Sequence, residues 1–403
     1  MADIITVGEA EKIIQSRHRN FGVEEVYYAT ALGRVLAEKL YADRDLPPFN
    51  RPTVDGIVID FSAYNGGLRS FKIKATQAAG ENPVAIASKD ECIEIMTGAA
   101  LDHSVDTVIR YEDIDIADGT ATIKNIEIKK GQNIPLRGKD KKQGDIVAMG
   151  DCIITPALIG LAASIGKTKL LVKKLPRVAV ITTGDEMVSA EETPNAYQLR
   201  RSNGIVIKSV LEKYKINVDL LHLKDDAELI RNELTRCLNG YDVLLMSGGV
   251  SMGKFDYVPQ VLDELGVQKL FHTIKQRPGK PFWFGTHGNG TVIFAFPGNP
   301  VSVFMCLHRY FIPWLKSALG IQSQQHGYAV LQNDIHFPYP LQYFAQVKLT
   351  VNDDGQWLAT PVDTNGSGDF SNLIYTDAFM ELPLEKDEFK KGEAYKVWRY
   401  GIF

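Results

Sequence analysis

The chain has 403 residues, of which 45% are hydrophobic and 23% are charged, a composition typical of an ordinary soluble globular protein. This length predicts two to four domains, because one hydrophobic core rarely serves a chain of this size. The 45 basic and 49 acidic residues give a formal charge of −4, which argues against a nucleic-acid partner because phosphate binding needs a basic surface.

The cysteines and the N-terminus indicate the compartment. The cysteines are dispersed, with no CxxC pair and no histidine at zinc-ligand spacing, so they are predicted to be reduced core thiols. They are Cys92, Cys152, Cys237 and Cys306. The N-terminus lacks the features of a signal peptide, and no apolar run is long enough to cross a bilayer. We therefore expect a cytoplasmic protein that binds no membrane.

Helical patterns occur on both sides of an alternating segment. Thr6 and Glu9 match a capping box, and residues 30–38 show a second helical spacing. Helical spacing resumes after the alternating segment. These patterns predict a helical linking module made of residues 1–45 and 145–175.

Two stretches alternate apolar and polar residues, as half-buried strands do. The first follows Leu46-Pro-Pro48, where the prolines prevent a helix from continuing, and it predicts an inserted β domain over residues 46–144. The second predicts a separate C-terminal β domain over residues 323–403. Residues 176–322 instead alternate strand and helix signals, which predicts an open α/β sheet with crossover helices.

Three apolar runs of the α/β segment, within residues 177–183, 243–246 and 292–296, end in loops of small, acidic or proline residues. The run 243–246 could equally be buried helix, but its flanking glycines favour a strand. Ligands of open α/β sheets bind at the carboxyl ends of parallel strands, so the loops that follow are candidate binding sites.

Two of these loops and one turn have the composition of an anion site. The loop after residues 243–246 is rich in glycine, and its backbone amides could point together at a phosphate. It could equally be a tight turn with no ligand. Its candidate residues are Ser247, Gly248, Gly249, Ser251 and Gly253. The proline loop adds Pro297, Gly298, Asn299 and Pro300, and a Pro-Gly turn adds Lys275, Arg277 and Lys280. Three cations in six residues suit a polyanionic ligand, although a solvated turn would show the same pattern.

These motifs resemble those of the molybdopterin molybdenumtransferases, the MoeA-type enzymes that insert molybdate into adenylylated molybdopterin. The matching motifs, in family order, are Leu46-Pro-Pro-Phe49, Val54-Asp-Gly56, Ile95-Met-Thr-Gly-Ala99, Gly131-Gln-Asn-Ile134, Arg137-Gly138, Thr183-Gly-Asp-Glu186, Ser247-Gly-Gly-Val-Ser-Met-Gly253, Arg277-Pro-Gly-Lys-Pro281 and Pro297-Gly-Asn-Pro-Val-Ser302. Collinearity over nearly the whole chain is a stronger signal than any single motif.

The resemblance implies a four-domain chain with a barrel-like C-terminal domain, and an elongated homodimer in which the partner completes each active cleft. It implies a magnesium-dependent reaction that converts molybdate and adenylyl-molybdopterin to molybdenum cofactor and AMP. Further partners would be other proteins of molybdenum cofactor biosynthesis.

The resemblance also assigns roles to residues. Glu186, Asp225 and Asp256 would act in catalysis and hold Mg²⁺, which prefers hard oxygen ligands, whereas Asp185 could simply cap a helix. Asp55 and Thr97 would be catalytic, and Arg137 and Asp140 would bind the cofactor, all four from the other subunit. Without the resemblance, these four would indicate only polar turns and a solvated charge run.

One four-residue stretch and two single residues depart from the family pattern. Arg51-Pro-Thr-Val54 stands in place of Asn-Ser-Ala-Met, Arg277 replaces a common lysine, and Lys139 stands where an acidic residue is usual. These departures concern ligand details and leave the fold prediction intact.

Two alternative functions stay open at this stage. The central α/β domain resembles the domain found alone in molybdopterin adenylyltransferases, although the surrounding domains argue against that activity. A non-catalytic dimeric scaffold would tolerate the loss of Glu186, Asp225 and Asp256, all of which are present.

Overall fold

The protein folds into two units, each with its own sheet. The computed structural model describes residues 4–250, 257–321 and 326–401. The larger unit comprises Met1–Ala37, Asp151–Thr155 and Leu170–Phe403, and the smaller unit comprises Glu38–Gly150 and Pro156–Lys169. The finer division into four domains, with the bounds given above, stays a prediction.

A six-stranded sheet forms the centre of the larger unit. Its strands lie in the order Val218–Leu223, Val178–Thr183, Val243–Ser247, Val292–Phe296, Trp283–Thr286 and Gln268–Phe271. The first four are parallel, and the last two are each antiparallel to their neighbours. Strand Val178–Thr183 is buried throughout, as expected when helices cover both faces of a parallel sheet. The predicted α/β sheet is confirmed, and residues 243–246 belong to a strand.

Helices pack on this sheet from both sides. They are Asn203–Glu212, Ala227–Gly240, Val258–Glu264 and Pro300–Cys306, the last continuing through the π-helical Leu307–Phe311 into Ile312–Ala318. Successive sheet residues enter different hydrophobic clusters: Val180 and Leu245 pack in one, and Ile181 and Leu244 in the other. Within the chain that the structure describes, no helix is long and apolar enough to cross a membrane.

The C-terminal part of the larger unit is a closed five-stranded barrel. Its strands follow the order Gln342–Val351, Trp357–Pro361, Gly327–Leu331, Ala394–Arg399 and Ala378–Leu382, and the last pairs again with the first. The barrel-like domain implied by the resemblance is therefore confirmed. Shorter elements beside it are Ile335–His336 paired with Glu388–Phe389, and the 3₁₀-helix Ser371–Tyr375.

The N-terminal segment matches the helical prediction only in part. Helix Val7–Gln15 has the predicted capping box between Thr6 and Glu9. The helical reading of residues 30–38 is wrong, because Gly33 has a φ of +80° and Val35 and Leu36 form extended bridges. The remaining elements here are the 3₁₀-helix Tyr28–Thr30 and strand Val23–Tyr27, which pairs with Lys169–Lys173.

The smaller unit contains the predicted inserted β domain. Its six-stranded sheet has the order Thr107–Arg110, Gly56–Ile59, Glu91–Ile95, Ser70–Gln77, Thr120–Ile123 and Ile114–Ala117. Its other elements are helices Phe61–Asn65 and Pro156–Ser164, the 3₁₀-helix Tyr111–Asp113, and strand Leu40–Tyr41 paired with Ile146–Ala148.

A buried charge network ties the barrel to two helical segments. The Arg309 side chain, 3% exposed, donates to Glu381 at 3.1 Å and to Glu11 at 2.8 Å. The indole N–H of Trp398 also donates to Glu381, and its ring lies 4.1 Å below the Arg309 guanidinium carbon. Arg309 and Glu381 are the buried pair of this network, whereas Glu11 is 42% exposed, so removing Glu381 costs the buried guanidinium its buried partner.

We predict that Glu381→Ala lowers the free energy of unfolding by about 3 kcal/mol, because the buried Arg309 loses its buried carboxylate and the Trp398 indole N–H loses its acceptor. The matched control is Glu385→Ala, an exposed glutamate in the same part of the chain, which should change stability by less than about 0.5 kcal/mol. Urea unfolding followed by tryptophan fluorescence measures both, and equal effects would contradict the role given to Glu381.

Candidate functional site

The parallel sheet brings four loops to one edge. Strands ending at Thr183, Leu223, Ser247 and Phe296 are parallel and adjacent, so their carboxyl ends lie side by side. The loops that leave this edge contain the predicted acidic, glycine-rich and proline motifs. Loops at this position form the ligand sites of open α/β sheets.

The glycine-rich loop packs closely against the end of its neighbouring strand. Gly248 and Gly249 have φ values of +92° and +65°, and a Cβ on Gly249 would lie 2.6 Å from Thr183 Oγ1. The Thr183 hydroxyl is buried and finds no hydrogen-bond partner among the described residues. Both positions therefore require glycine. The predicted site residues Ser251, Gly253 and Asp256 lie outside the described residues.

Asn203 joins two of the loops, and the sequence reading missed it. Its amide donates to Ser247 Oγ at 2.9 Å and to the Gly298 carbonyl at 2.7 Å. Asn203 begins helix Asn203–Glu212 directly after Ser202, so its only sequence signal is that of a helix start. Asn203 thus links the predicted residues Ser247 and Gly298, although it lies 95 positions from Gly298 in the sequence.

Carboxylates occupy the opposite end of the same edge. The Asp185 amide donates to the Asp225 carboxylate at 3.4 Å, and the Asp225 amide donates to Asp185 at 3.3 Å, so these two loops hold each other. Glu186 is exposed beside Gly184, where a Cβ would lie 2.6 Å from a Glu186 carboxylate oxygen. Asp226 caps helix Ala227–Gly240 through the amides of two following residues, both at 2.9 Å.

His222 lies close to these acids and was also missed by the sequence reading. Its Nδ1 is 3.2 Å from the Thr182 hydroxyl. Burial lowers the pKa of His222 and the Arg201 charge lowers it further, against the opposing influence of Thr182, Asp225 and Glu186. Among the described residues, no group of three or more His, Cys, Asp or Glu side chains is placed to hold a metal ion.

The cationic turn is held by neutral buried groups. The buried Gln276 donates to the Gly279 carbonyl at 2.8 Å and accepts a hydrogen bond from the Tyr310 hydroxyl. Gly279 has a φ of +83°, and a Cβ there would lie 2.7 Å from Cys306 Sγ. The predicted cations Lys275, Arg277 and Lys280 are exposed, and within the described ranges none forms an ion pair with a carboxylate. Their charges are therefore not used to hold the turn.

A cleft of about 880 Å³ is lined by this turn, the proline loop and residues of the barrel. Predicted residues lining it are Arg277, Lys280, Pro297, Gly298 and Asn299, and lining residues that were not predicted include Phe337, Tyr339, Tyr343, Gln346 and Ser367. Asn299 donates to Ser367 Oγ at 2.8 Å, which ties the proline loop to a barrel loop. Gln346 is 5% exposed, and its side-chain oxygen finds no partner within the described part of the chain. Pro300 instead begins helix Pro300–Cys306.

The remaining predicted residues belong to the smaller unit. Thr97 donates through its amide and hydroxyl to one Asp55 oxygen at 2.6 and 2.7 Å, and these hydrogen bonds lower the pKa of Asp55. Arg137 donates to Asp45 at 2.7 Å, and the Asp140 amide donates to the Leu46 carbonyl at 2.9 Å. Asp55 and Thr97 form one pair, and the catalytic and binding roles of all four stay predictions.

Fold and site together define a multidomain protein built on an open α/β domain, with exposed cations beside a cleft near the carboxyl edge of the sheet. Three family models match the chain. "MoeA N-terminal region (domain I and II)" matches residues 5–166, "Probable molybdopterin binding domain" matches 179–317, and "MoeA C-terminal region (domain IV)" matches 328–400.

Full-length relatives lead to the same family. The chain is 38% identical to a molybdopterin molybdenumtransferase of Synechocystis sp., over 98% of this chain and 100% of the relative. It is 30% identical to a molybdopterin molybdenumtransferase of Staphylococcus epidermidis, over 98% of this chain and 95% of the relative. A molybdopterin biosynthesis MoeA protein of Pyrococcus horikoshii has a TM-score of 0.84 at 28% identity, over 100% of both chains. The chain belongs to the MoeA family of molybdopterin molybdenumtransferases.

We predict that Asn203→Ala weakens AMP binding about tenfold, because Ser247 and Gly298 lose the amide that holds their loops together. Calorimetry measures the affinity. The control Asn217→Ala replaces an exposed asparagine that precedes strand Val218–Leu223, at the opposite edge of the sheet, and should leave binding unchanged. If Asn203→Ala binds AMP as tightly as the unmodified protein does, the hydrogen bonds from Asn203 to the two loops do not shape the site.

Proposed function

We propose that this protein inserts molybdenum from molybdate into adenylyl-molybdopterin and releases AMP, which makes it a molybdopterin molybdenumtransferase of molybdenum cofactor biosynthesis. The observation that carries the proposal is the full-length similarity to relatives with that name. The cleft with its uncompensated cations supports it, because both substrates are polyanions.

The oxyanion end of the site is proposed to lie at the cationic turn. Arg277 and Lys280 line the cleft, and Ser367 adds a hydroxyl from the barrel. Molybdate is a tetrahedral dianion, so two cations and neutral donors would bind it through charge-assisted hydrogen bonds. Lys275, on the same turn but outside the cleft lining, would add to the positive potential.

The nucleotide end is proposed to lie at the glycine-rich and acidic loops. Backbone amides from Ser247 to Gly249 would donate to phosphate oxygens, as amides of tight loops after a strand do. Loss of AMP requires cleavage of the phosphoanhydride, so groups that neutralise charge on phosphate are needed here.

Glu186, Asp225 and Asp256 are proposed to hold Mg²⁺ at this end. Glu186 and Asp225 offer oxygen donors of the kind Mg²⁺ prefers, and both influence the same His222 ring. When bound, the ion would neutralise phosphate oxygens and activate a water for attack at the adenylate phosphorus. Asp185, bonded to the Asp225 amide, would keep the Asp225 loop in place.

We further propose a homodimer in which Asp55, Thr97, Arg137 and Asp140 reach the cleft of the partner subunit. The support is the resemblance of their motifs to those of the family. A cytoplasmic location and contacts with other proteins of the same biosynthesis likewise stay predictions.

The decisive experiment compares three reactions of the purified protein. With adenylyl-molybdopterin, Mg²⁺ and molybdate, AMP release that depends on molybdate supports the proposed activity. With molybdopterin and ATP instead, consumption of ATP would indicate an adenylyltransferase and contradict the proposal. If neither AMP release nor ATP consumption occurs, a non-catalytic scaffold is favoured.

We predict that Glu186→Gln lowers the rate of AMP release about 100-fold, because it removes a charge facing the phosphates without changing the size of the side chain. The control is Glu228→Gln, an equal change of charge on an exposed residue in the first turn of helix Ala227–Gly240. Unchanged turnover in Glu186→Gln would remove this residue from the catalytic set.

We also predict that chelation of divalent ions abolishes AMP release and that added Mg²⁺ restores it. Calorimetric titration of Mg²⁺ into protein with bound nucleotide should show weaker binding for Asp225→Asn than for the unmodified protein. Full turnover in chelator would contradict a role for magnesium.

A further inference from the structure

One wall of the cleft is aromatic. The rings of Phe337 and Tyr343 stack with centroids 4.2 Å apart and planes 6° apart. Tyr339 lies against Phe337, with centroids 5.1 Å apart at 58°. Phe337 is 7% exposed, whereas Tyr339 is 52% exposed. Tyr339 is therefore the ring of this wall that a ligand in the cleft could contact over a large area.

A guanidinium extends this wall. Arg277 lies 5.4 Å from the Tyr339 centroid and 5.9 Å from the Phe337 centroid. The backbone fixes this arrangement, because Gln276–Arg277 pairs in parallel with Gln342–Tyr343 of the barrel. The planar cation and the exposed ring together offer a surface for stacking.

Such a surface indicates a ligand with two chemical features. A tetrahedral oxyanion can use Arg277 and Lys280, but it gains nothing from three aromatic rings in contact with one another. A planar heteroaromatic ring that also carries an anionic or metal-binding group would use both. If the protein acts on adenylyl-molybdopterin as proposed, two parts of that substrate have a planar ring: the pterin and the adenine.

The order of the strands distinguishes these two rings. The acidic loop follows strand Val178–Thr183, and the proline loop of the cleft follows Val292–Phe296, two strands away in the sheet. At a spacing of about 4.8 Å per strand, these ends are roughly 10 Å apart. The phosphoanhydride is proposed to lie at the acidic end. The dithiolene belongs to a ring fused to the pterin, so the pterin has to lie near the oxyanion, and the adenine lies beyond the phosphates.

We propose that Tyr339, together with Arg277, forms the subsite that binds the pterin ring by stacking and so directs the dithiolene towards molybdate. This assignment rests on the proposed function of the cleft. Tyr339 is a binding residue and takes no part in proton or group transfer.

The test uses pterin-6-carboxylate, a fluorescent pterin without dithiolene or nucleotide, and AMP as separate probes. We expect Tyr339→Ala to weaken binding of the pterin about tenfold and to leave AMP binding unchanged, while Tyr339→Phe keeps the affinity for both. The control Tyr375→Ala removes a tyrosine that is 68% exposed and does not line the cleft, and it should change neither. Thermal unfolding confirms that each variant is folded.

Each other result overturns the assignment. Loss of AMP binding in Tyr339→Ala would place the adenine on this wall. If Tyr339→Ala binds the pterin as tightly as the unmodified protein does, or if the unmodified protein does not bind the pterin, the wall is not a pterin subsite. The proposed function is tested independently: molybdate-dependent AMP release by the unmodified protein with normal pterin affinity in Tyr339→Ala refutes only the subsite. Specific pterin binding without AMP release refutes only the transferase.

Discussion

The parallel pairing of four adjacent strands sets the geometry of the larger unit. Val178–Thr183 pairs in continuous register with Val218–Leu223 on one side and Val243–Ser247 on the other, and the latter pairs with Val292–Phe296. Their carboxyl ends are therefore level, and loops more than 100 residues apart in sequence share one edge. Asn203 then fixes two of these loops by donating to both.

A second constraint keeps the cations available for a ligand. The turn that carries Arg277 and Lys280 is held by the side-chain amide of Gln276, by Tyr310 and by a glycine that permits close approach to Cys306. Because neutral groups satisfy the backbone, no carboxylate is needed to stabilise the turn. Barrel residues line the other side of the cleft, so an anion bound there would be only partly exposed to water. Reduced contact with water strengthens the attraction between the anion and the cations.

The sequence could predict those elements whose signals are local. Apolar runs followed by glycine predicted the parallel strands, Thr6 with Glu9 predicted the capping box, and alternation predicted the barrel strands. Contacts between distant positions left no such signal. Asn203 has only the pattern of a helix start, and Ser367 lies in a loop that gains meaning only through its hydrogen bond to Asn299. The helical reading of residues 30–38 failed because bridges to distant segments outweighed local spacing.

On the proposed function, groups from the α/β domain and the barrel form one cleft that receives the oxometal substrate. The most direct measurement is anomalous X-ray scattering from crystals soaked in molybdate. We expect a molybdenum peak within about 4 Å of the side chains of Arg277 and Lys280. A peak at the glycine-rich loop or outside the cleft, with these two side chains unoccupied, would contradict it.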